Sequence, residues 1–242
     1  MSINKIVFSL NFAADPVKAK LLSRYSKTGK GQYGEGDRFI GITVPKIRKI
    51  AHLFVDANLP DIQELLKSKI HEYRLTALEI LVAKYEKTKD EKLKEKIYKF
   101  YLRNTKHINN WDLVDLSCSY IVGDYLLDKD RKVLYKLAKS KNLWERRIAI
   151  ISTQAFIRIE QHKDTFALAT MLLNDKHDLI HKAVGWMLRE VGKRVSKEKE
   201  MKFLDKYAKN MPRTMLSYAI EHFSKKERES YKIKNNDKKR RK

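Results

Sequence analysis

Apolar residues in this chain recur at steps of three and four, a period that commits most of it to amphipathic helix. The stripe runs through Ile62, Leu65 and Leu66; Leu75, Leu78, Leu81 and Val82; Ile97, Phe100 and Tyr101; and Leu113, Leu116, Tyr120 and Ile121. It resumes at Ile148, Ile151 and Ala155 and again at Val184, Met187 and Val191. Breaks near Leu59-Pro60, Lys87 to Asp90, Asn109-Asn110, Asp128 to Asp130, Lys141-Asn142, Asn174-Asp175 and Met211-Pro212 predict about twelve medium-length helices in tandem. Only 8 glycines and 4 prolines among 242 residues leave little material for a turn-rich β architecture.

Small or polar residues fall at comparable places in successive helices. Ala77, Asp115, Ala149 and Ala183 are separated by 38, 34 and 34 residues, a period that suits helix-pair repeats of HEAT type. One amphipathic helix pair cannot bury its apolar face alone, so such pairs stack into a curved solenoid with a concave inner surface. An irregular helical bundle satisfies the same spacing. The expected organisation is one all-α domain over residues 1–223, followed by a basic, disordered tail over 224–242.

The chain carries 53 Lys+Arg against 30 Asp+Glu, a formal charge of +23. Residues 224–242 hold ten Lys/Arg and three Asp/Glu, so +16 remains on the body. Such a field draws polyanions toward the surface, and nucleic acid is the first candidate. A Lys-rich surface can also be a mere compositional habit, so charge needs a second observation.

Cys118 is the single cysteine, which rules out an intramolecular disulfide and fits a reducing cytoplasm. The 7 histidines show no metal-ligand spacing, so the expected chemistry needs no metal and no cofactor. The apolar stretch in Met1–Leu10 is too short for a secretory signal, and no later run approaches membrane-spanning length. Four of the glycines lie between Gly29 and Gly36, in a loop without a phosphate-loop or dinucleotide pattern. It reads as a surface linker, or as a loop that orders on a ligand. Pro45 then suits the first turn of a helix beginning near residue 45.

Three stations carry candidate chemistry. In Asn109-Asn110-Trp111-Asp112-Leu113-Val114-Asp115, an Asn cap opens a helix on which Trp111 and Asp115 share one face. A carboxylate one turn from an indole is costly to bury without a partner or a task. The plain alternative makes Trp111 a core anchor and Asp115 a surface acid. In Lys182 to Glu190, Lys182, Trp186, Arg189 and Glu190 line one helical side, and Gly185 implies close approach of another backbone. In Trp144-Glu145-Arg146-Arg147, a guanidinium can hold Asp115 or grip a phosphate; a surface ion pair is the alternative. Aromatic and charged groups converging on adjacent repeats fit a nucleic-acid backbone.

Four strings in this order resemble the AlkD family of DNA alkylation repair glycosylases: Gly41-Ile42-Thr43-Val44-Pro45-x-x-Arg48, Trp111-Asp112-x-Val114-Asp115, Asn142-Leu143-Trp144-x-x-Arg147, and Lys182 to Glu190. The resemblance extends to about Phe223. It implies a HEAT-like solenoid with a concave DNA-binding face, which excises N3- and N7-alkylated purines from duplex DNA without base flipping. It also implies catalytic roles for Trp111, Asp115 and Trp186, with Arg147 beside the carboxylate, and DNA contacts from Tyr25, Thr43, Arg48, Lys182 and Arg189. The implied partner is double-stranded DNA bearing alkylated purines, met by a monomer in the cytoplasm at the nucleoid. Asp178-Leu179 departs from the family pattern, which has bulky aromatics there. A non-catalytic DNA-binding or scaffold protein of the same architecture, or a platform for protein partners, remains as a rival reading.

Overall fold

The computed structural model describes residues 3–236 and is helical throughout, with no strand among the described residues. Its nearest approach to a sheet is an isolated bridge between Arg38 and Ile70. Two compact units divide between Tyr125 and Leu126, where the sequence implied one continuous domain.

The first unit contains α1 (Ile3–Phe12), α2 (Pro16–Tyr25), α3 (Val44–Leu53), α4 (Leu59–Leu66), α5 (His71–Lys87), α6 (Glu91–Arg103) and α7 (Trp111–Asp115). Helix α5 is its axis, with α3 and α4 packed against it, and every residue from His71 to Ala83 is buried. Start signals in the sequence are realised directly. Asn58, Asp90 and Asn110 cap α4, α6 and α7 by accepting early backbone N–H groups, and Pro45 stands in the first turn of α3.

The apolar stripe 113–121 reads as one helix, but the structure breaks it after α7. The Ser117 hydroxyl donates to the Leu113 carbonyl one turn back at 2.5 Å and shares a 2.9 Å hydrogen bond with the Tyr101 hydroxyl. Such back-bonding competes with regular helix continuation. The chain resumes as a π-helical turn, Ser119–Gly123, that keeps Ile121 and Val122 in the core.

The second unit contains α8 (Lys132–Ala138), α9 (Leu143–Ile151), α10 (Gln154–Arg158), α11 (Lys163–Met171), α12 (Asp178–Arg194), α13 (Lys197–Tyr207), α14 (Arg213–Ala219) and α15 (Lys225–Asn236). Helix α12 packs against α9, α13 and, most extensively, α14. Gly185 makes that last contact possible. A Cβ at this position would lie 2.4 Å from the Met215 carbonyl oxygen and 2.6 Å from Tyr218 Cβ, so the close backbone approach read from the sequence is present.

The expectation of a disordered tail from Ser224 is corrected over Lys225–Asn236, which form α15. Tyr231 is buried, with its hydroxyl 3.2 Å from Asp205 Oδ1, and the buried Asn235 amide donates to the Ala208 and Met211 carbonyls. Burying a tyrosine ring and satisfying two carbonyls is enough to seat a helix that composition alone assigns to solvent. The rest of the expected tail, 237–242, lies outside the described residues.

Candidate nucleic-acid interface

Five of the sequence-derived candidates belong to the first unit. Trp111 opens α7, half-buried, and its indole meets the Tyr25 ring edge-on with centroids 5.7 Å apart. Tyr25 is 68% exposed, so the aromatic pair faces solvent on one side. Asp115 ends the same short helix, half-buried, one turn from Trp111. Its charge reaches the buried Tyr101 phenol and, after burial itself and the neighbouring Cys118, helps raise that group's pKa well above the ordinary value. Thr43 occupies the N-cap position of α3 without a side-chain capping bond. Arg48 projects from α3, half-exposed, with its Nε 3.2 Å from the buried Glu79 carboxylate. Burial raises the Glu79 pKa while the Arg48 charge opposes it.

What holds this region in place was not legible in the sequence. His71, at the start of α5, is buried between two carboxylates, with Nε2 2.8 Å from Asp112 and Nδ1 3.3 Å from Asp37. Burial alone would lower its pKa, but the Asp112 charge and the hydrogen bonds to both acids raise it to about 9. It is therefore an imidazolium at neutral pH, with Phe39 stacked on its ring at 4.5 Å. Arg74 completes the group 2.7 Å from Asp37, and Asp112 also accepts the Leu113 N–H at 2.9 Å. The first turn of α7, and with it Trp111, is thereby tied to α5. One residue along, the buried Glu72 carboxylate accepts the backbone N–H groups of Ile40, Gly41 and Ile42, fixing the chain that leads to Thr43. These partners lie 30 to 41 residues apart, too far for local spacing to mark.

The other four candidates belong to the second unit. Arg147 on α9 is buried and donates from Nη1 to the Leu179 carbonyl at the start of α12. Trp186 is half-buried on α12. Lys182, one turn earlier, pairs with Asp178 at 2.9 Å. Arg189 pairs with Glu221, and its buried Nε has no hydrogen-bond partner. Trp144 behaves differently from its reading as a groove aromatic: its ring is 7% exposed and anchors the core under α9. The neighbouring Arg146 is fully engaged, bridging Asp175 at 2.6 Å and the Ser140 and Lys141 carbonyls. No group of three or more potential metal ligands occurs among the described residues, and no helix among them is long and apolar enough to cross a membrane.

This all-helical fold has a counterpart among solved structures. One described as a "predicted DNA alkylation repair enzyme" from Enterococcus faecalis superposes with a TM-score of 0.67 over 88% of this chain and 97% of its own, at 15% identity. At that identity the likeness is one of fold. The chain belongs to the DNA alkylation repair enzyme family, whose sequence model matches residues 8–223, and membership gives it a role in DNA repair. No curated protein matches it significantly.

Proposed function

We propose that the protein is a monofunctional DNA glycosylase, which hydrolyses the N-glycosidic bond of N3- and N7-alkylated purines in duplex DNA without rotating the nucleotide out of the helix. The observation that carries this reading is Trp111, braced edge-on by Tyr25 and followed one turn later by Asp115, within the family-matched region. A purine alkylated at N3 or N7 is cationic. When its bond to C1′ breaks, the electron pair goes to the base, which leaves neutral, and the positive charge passes to the sugar. Asp115 supplies the negative charge that stabilises this oxocarbenium-like state, and Trp111 and Trp186 present π-faces to it. Water then adds at C1′ and releases a proton, leaving an abasic site.

Arg147 acts as the guanidinium that positions the carboxylate, while Tyr25, Thr43, Arg48, Lys182 and Arg189 contact the DNA. In this reading the helix pairs form a HEAT-like solenoid with a concave face for the duplex, and the protein works as a monomer at the nucleoid. The reaction requires no cofactor. Incubation with duplex DNA containing 7-methylguanine should release free base, and Asp115→Asn should slow release by about 10²- to 10³-fold, the usual cost of losing one electrostatic stabiliser. Unchanged release would remove Asp115 from the mechanism.

A second reading, a non-catalytic DNA-binding or scaffold protein, draws support from the Asp178–Lys182 pair, which neutralises one candidate phosphate contact beside Leu179. It requires salt-sensitive DNA binding without base release.

A further inference from the structure

The glycine-rich loop has no part in the mechanism above, yet it forms one wall of a cleft in the first unit, about 570 Å³ in volume. Thr28, Gly36 and Arg38 come from the loop side. Lys69 and Arg74 come from the start of α5 and the turn before it, and Lys106, His107 and Asn109 from the segment entering α7. Arg38 and Lys69 are drawn together by the backbone: the Arg38 N–H donates to the Lys69 carbonyl at 3.0 Å, and the His71 N–H donates to the Arg38 carbonyl at 2.8 Å. Gly36 turns the loop into the cleft at φ +89°, a conformation that side chains other than glycine's rarely allow.

The charges here do not cancel. Two acids also line the cleft, but both are engaged: Asp37 by His71 and Arg74, and Glu35 by the Gly31 N–H at 2.7 Å. Arg38, Lys69 and Lys106 make no ion pair with any described residue, and all three are exposed. At the floor, Arg74 is 3% exposed, with Nη1 bonded to the Ser68 carbonyl and Nη2 beside Asp37, while its buried Nε–H has no hydrogen-bond partner. An unsatisfied guanidinium N–H beneath three free cations is a donor set for a tetrahedral oxyanion. The field is also felt by His107, whose pKa is lowered by burial first and then by the charges of Lys106, Arg74 and Lys67.

We propose that this cleft is a phosphate-binding site, formed by Arg38, Lys69, Arg74 and Lys106 under the glycine-rich loop. A bound phosphate would sit next to the segment that caps α7 and would share Arg74 with the Arg74–Asp37–His71–Asp112 chain that positions Trp111. The site does not depend on base excision, because the phosphate of any nucleic-acid strand or of the free ion satisfies the same donors.

The test uses the full chain and the His107 imidazole as reporter, assigned with His107→Gln and followed by NMR. Inorganic phosphate should raise the His107 pKa saturably by about one unit, since a nearby anion favours the imidazolium. The double variant Arg38→Ala/Lys106→Ala, which alters only exposed side chains, should abolish the shift while keeping the wild-type melting temperature. An undamaged duplex oligonucleotide supplies the second arm. If a strand phosphate occupies the cleft, the duplex reproduces the His107 shift, and the double variant reduces the slope of log K against log salt by about one. A response to inorganic phosphate alone supports the site and assigns it to a free phosphate. No His107 response to either probe, or a response unchanged in the double variant, overturns the proposal. Release of 7-methylguanine, scored separately, tests the glycosylase reading and leaves this one standing or falling by itself.

Discussion

The buried imidazolium at His71 makes the stability of the first unit depend on pH in a calculable way. Its pKa is about 9 in the folded chain and 6.5 for an ordinary histidine, so folding binds a proton more tightly across that interval. A raised folded-state pKa means that the contribution is fully present below pH 6.5 and is lost as pH rises through 9. The interval of 2.5 units corresponds to about 3 kcal/mol. Urea unfolding of the wild type and of His71→Gln, followed by far-UV circular dichroism at pH 6, 7.5 and 9.5, isolates this term because other titrating groups are common to both proteins. The stability gap between them should be widest at pH 6 and narrow by about 3 kcal/mol at pH 9.5. A gap that stays constant over that range would mean His71 is neutral in the folded state, and the ion-pair account of how α7 is anchored would be wrong.

Three further outcomes follow from the packing and charges. Gly185→Ala drives a Cβ into the Met215 carbonyl and Tyr218, so thermal melting should show destabilisation of about 1–3 kcal/mol in spite of alanine's better helix propensity. Glu200 is buried without a hydrogen-bond partner for either oxygen, 3.2 Å from His222, and burial raises its pKa to about 9. A raised carboxyl pKa costs stability as pH climbs from 4.5 toward 9, so Glu200→Gln should be more stable than wild type at pH 8 by about 4–5 kcal/mol and nearly equal at pH 4, as read by denaturant midpoints. Tyr25→Ala removes an exposed ring from the edge of Trp111, and base release should fall about fivefold while the melting temperature drops by no more than about 2–4 °C, as an aromatic pair of about 1 kcal/mol implies.

The helices were legible because their information is local: a three-to-four period, Asn and Asp caps, Pro45 in a first turn and Gly185 at a close crossing. Local reading failed wherever the decisive partner was distant. Nothing near Ser117 announces that its hydroxyl will turn back on Leu113 and meet Tyr101, and so end α7 early. Lys225–Asn236 reads as solvated because its few apolar residues look stranded until Tyr231 finds a place against Phe223 and Asp205. Trp144 illustrates the opposite error: an aromatic beside basic residues reads as a binding group, whereas its 7% exposure makes it core. The motif residues Trp111 and Tyr25 were named for separate reasons, and their contact emerges only from the fold.

Helix α5 explains why so many charges are buried in one place. Glu72 gathers three backbone N–H groups ahead of Thr43, Glu79 holds Arg48, and His71 holds Asp112 behind Trp111. Three candidates on two other helices therefore take their positions from within about two turns of a single buried helix. An apolar α5 would pack at least as well, since buried ion pairs seldom add net stability, but it would leave the loop and the start of α7 without fixed registers. The charges thus act on geometry more than on folding free energy. Glu72→Gln and His71→Gln should accordingly separate, the first loosening the segment before Thr43 and weakening DNA binding, the second loosening α7 and slowing base release at unchanged affinity. Equal effects of both variants on binding and on release would mean that α5 holds the unit together as a whole and positions neither the segment before Thr43 nor α7 individually.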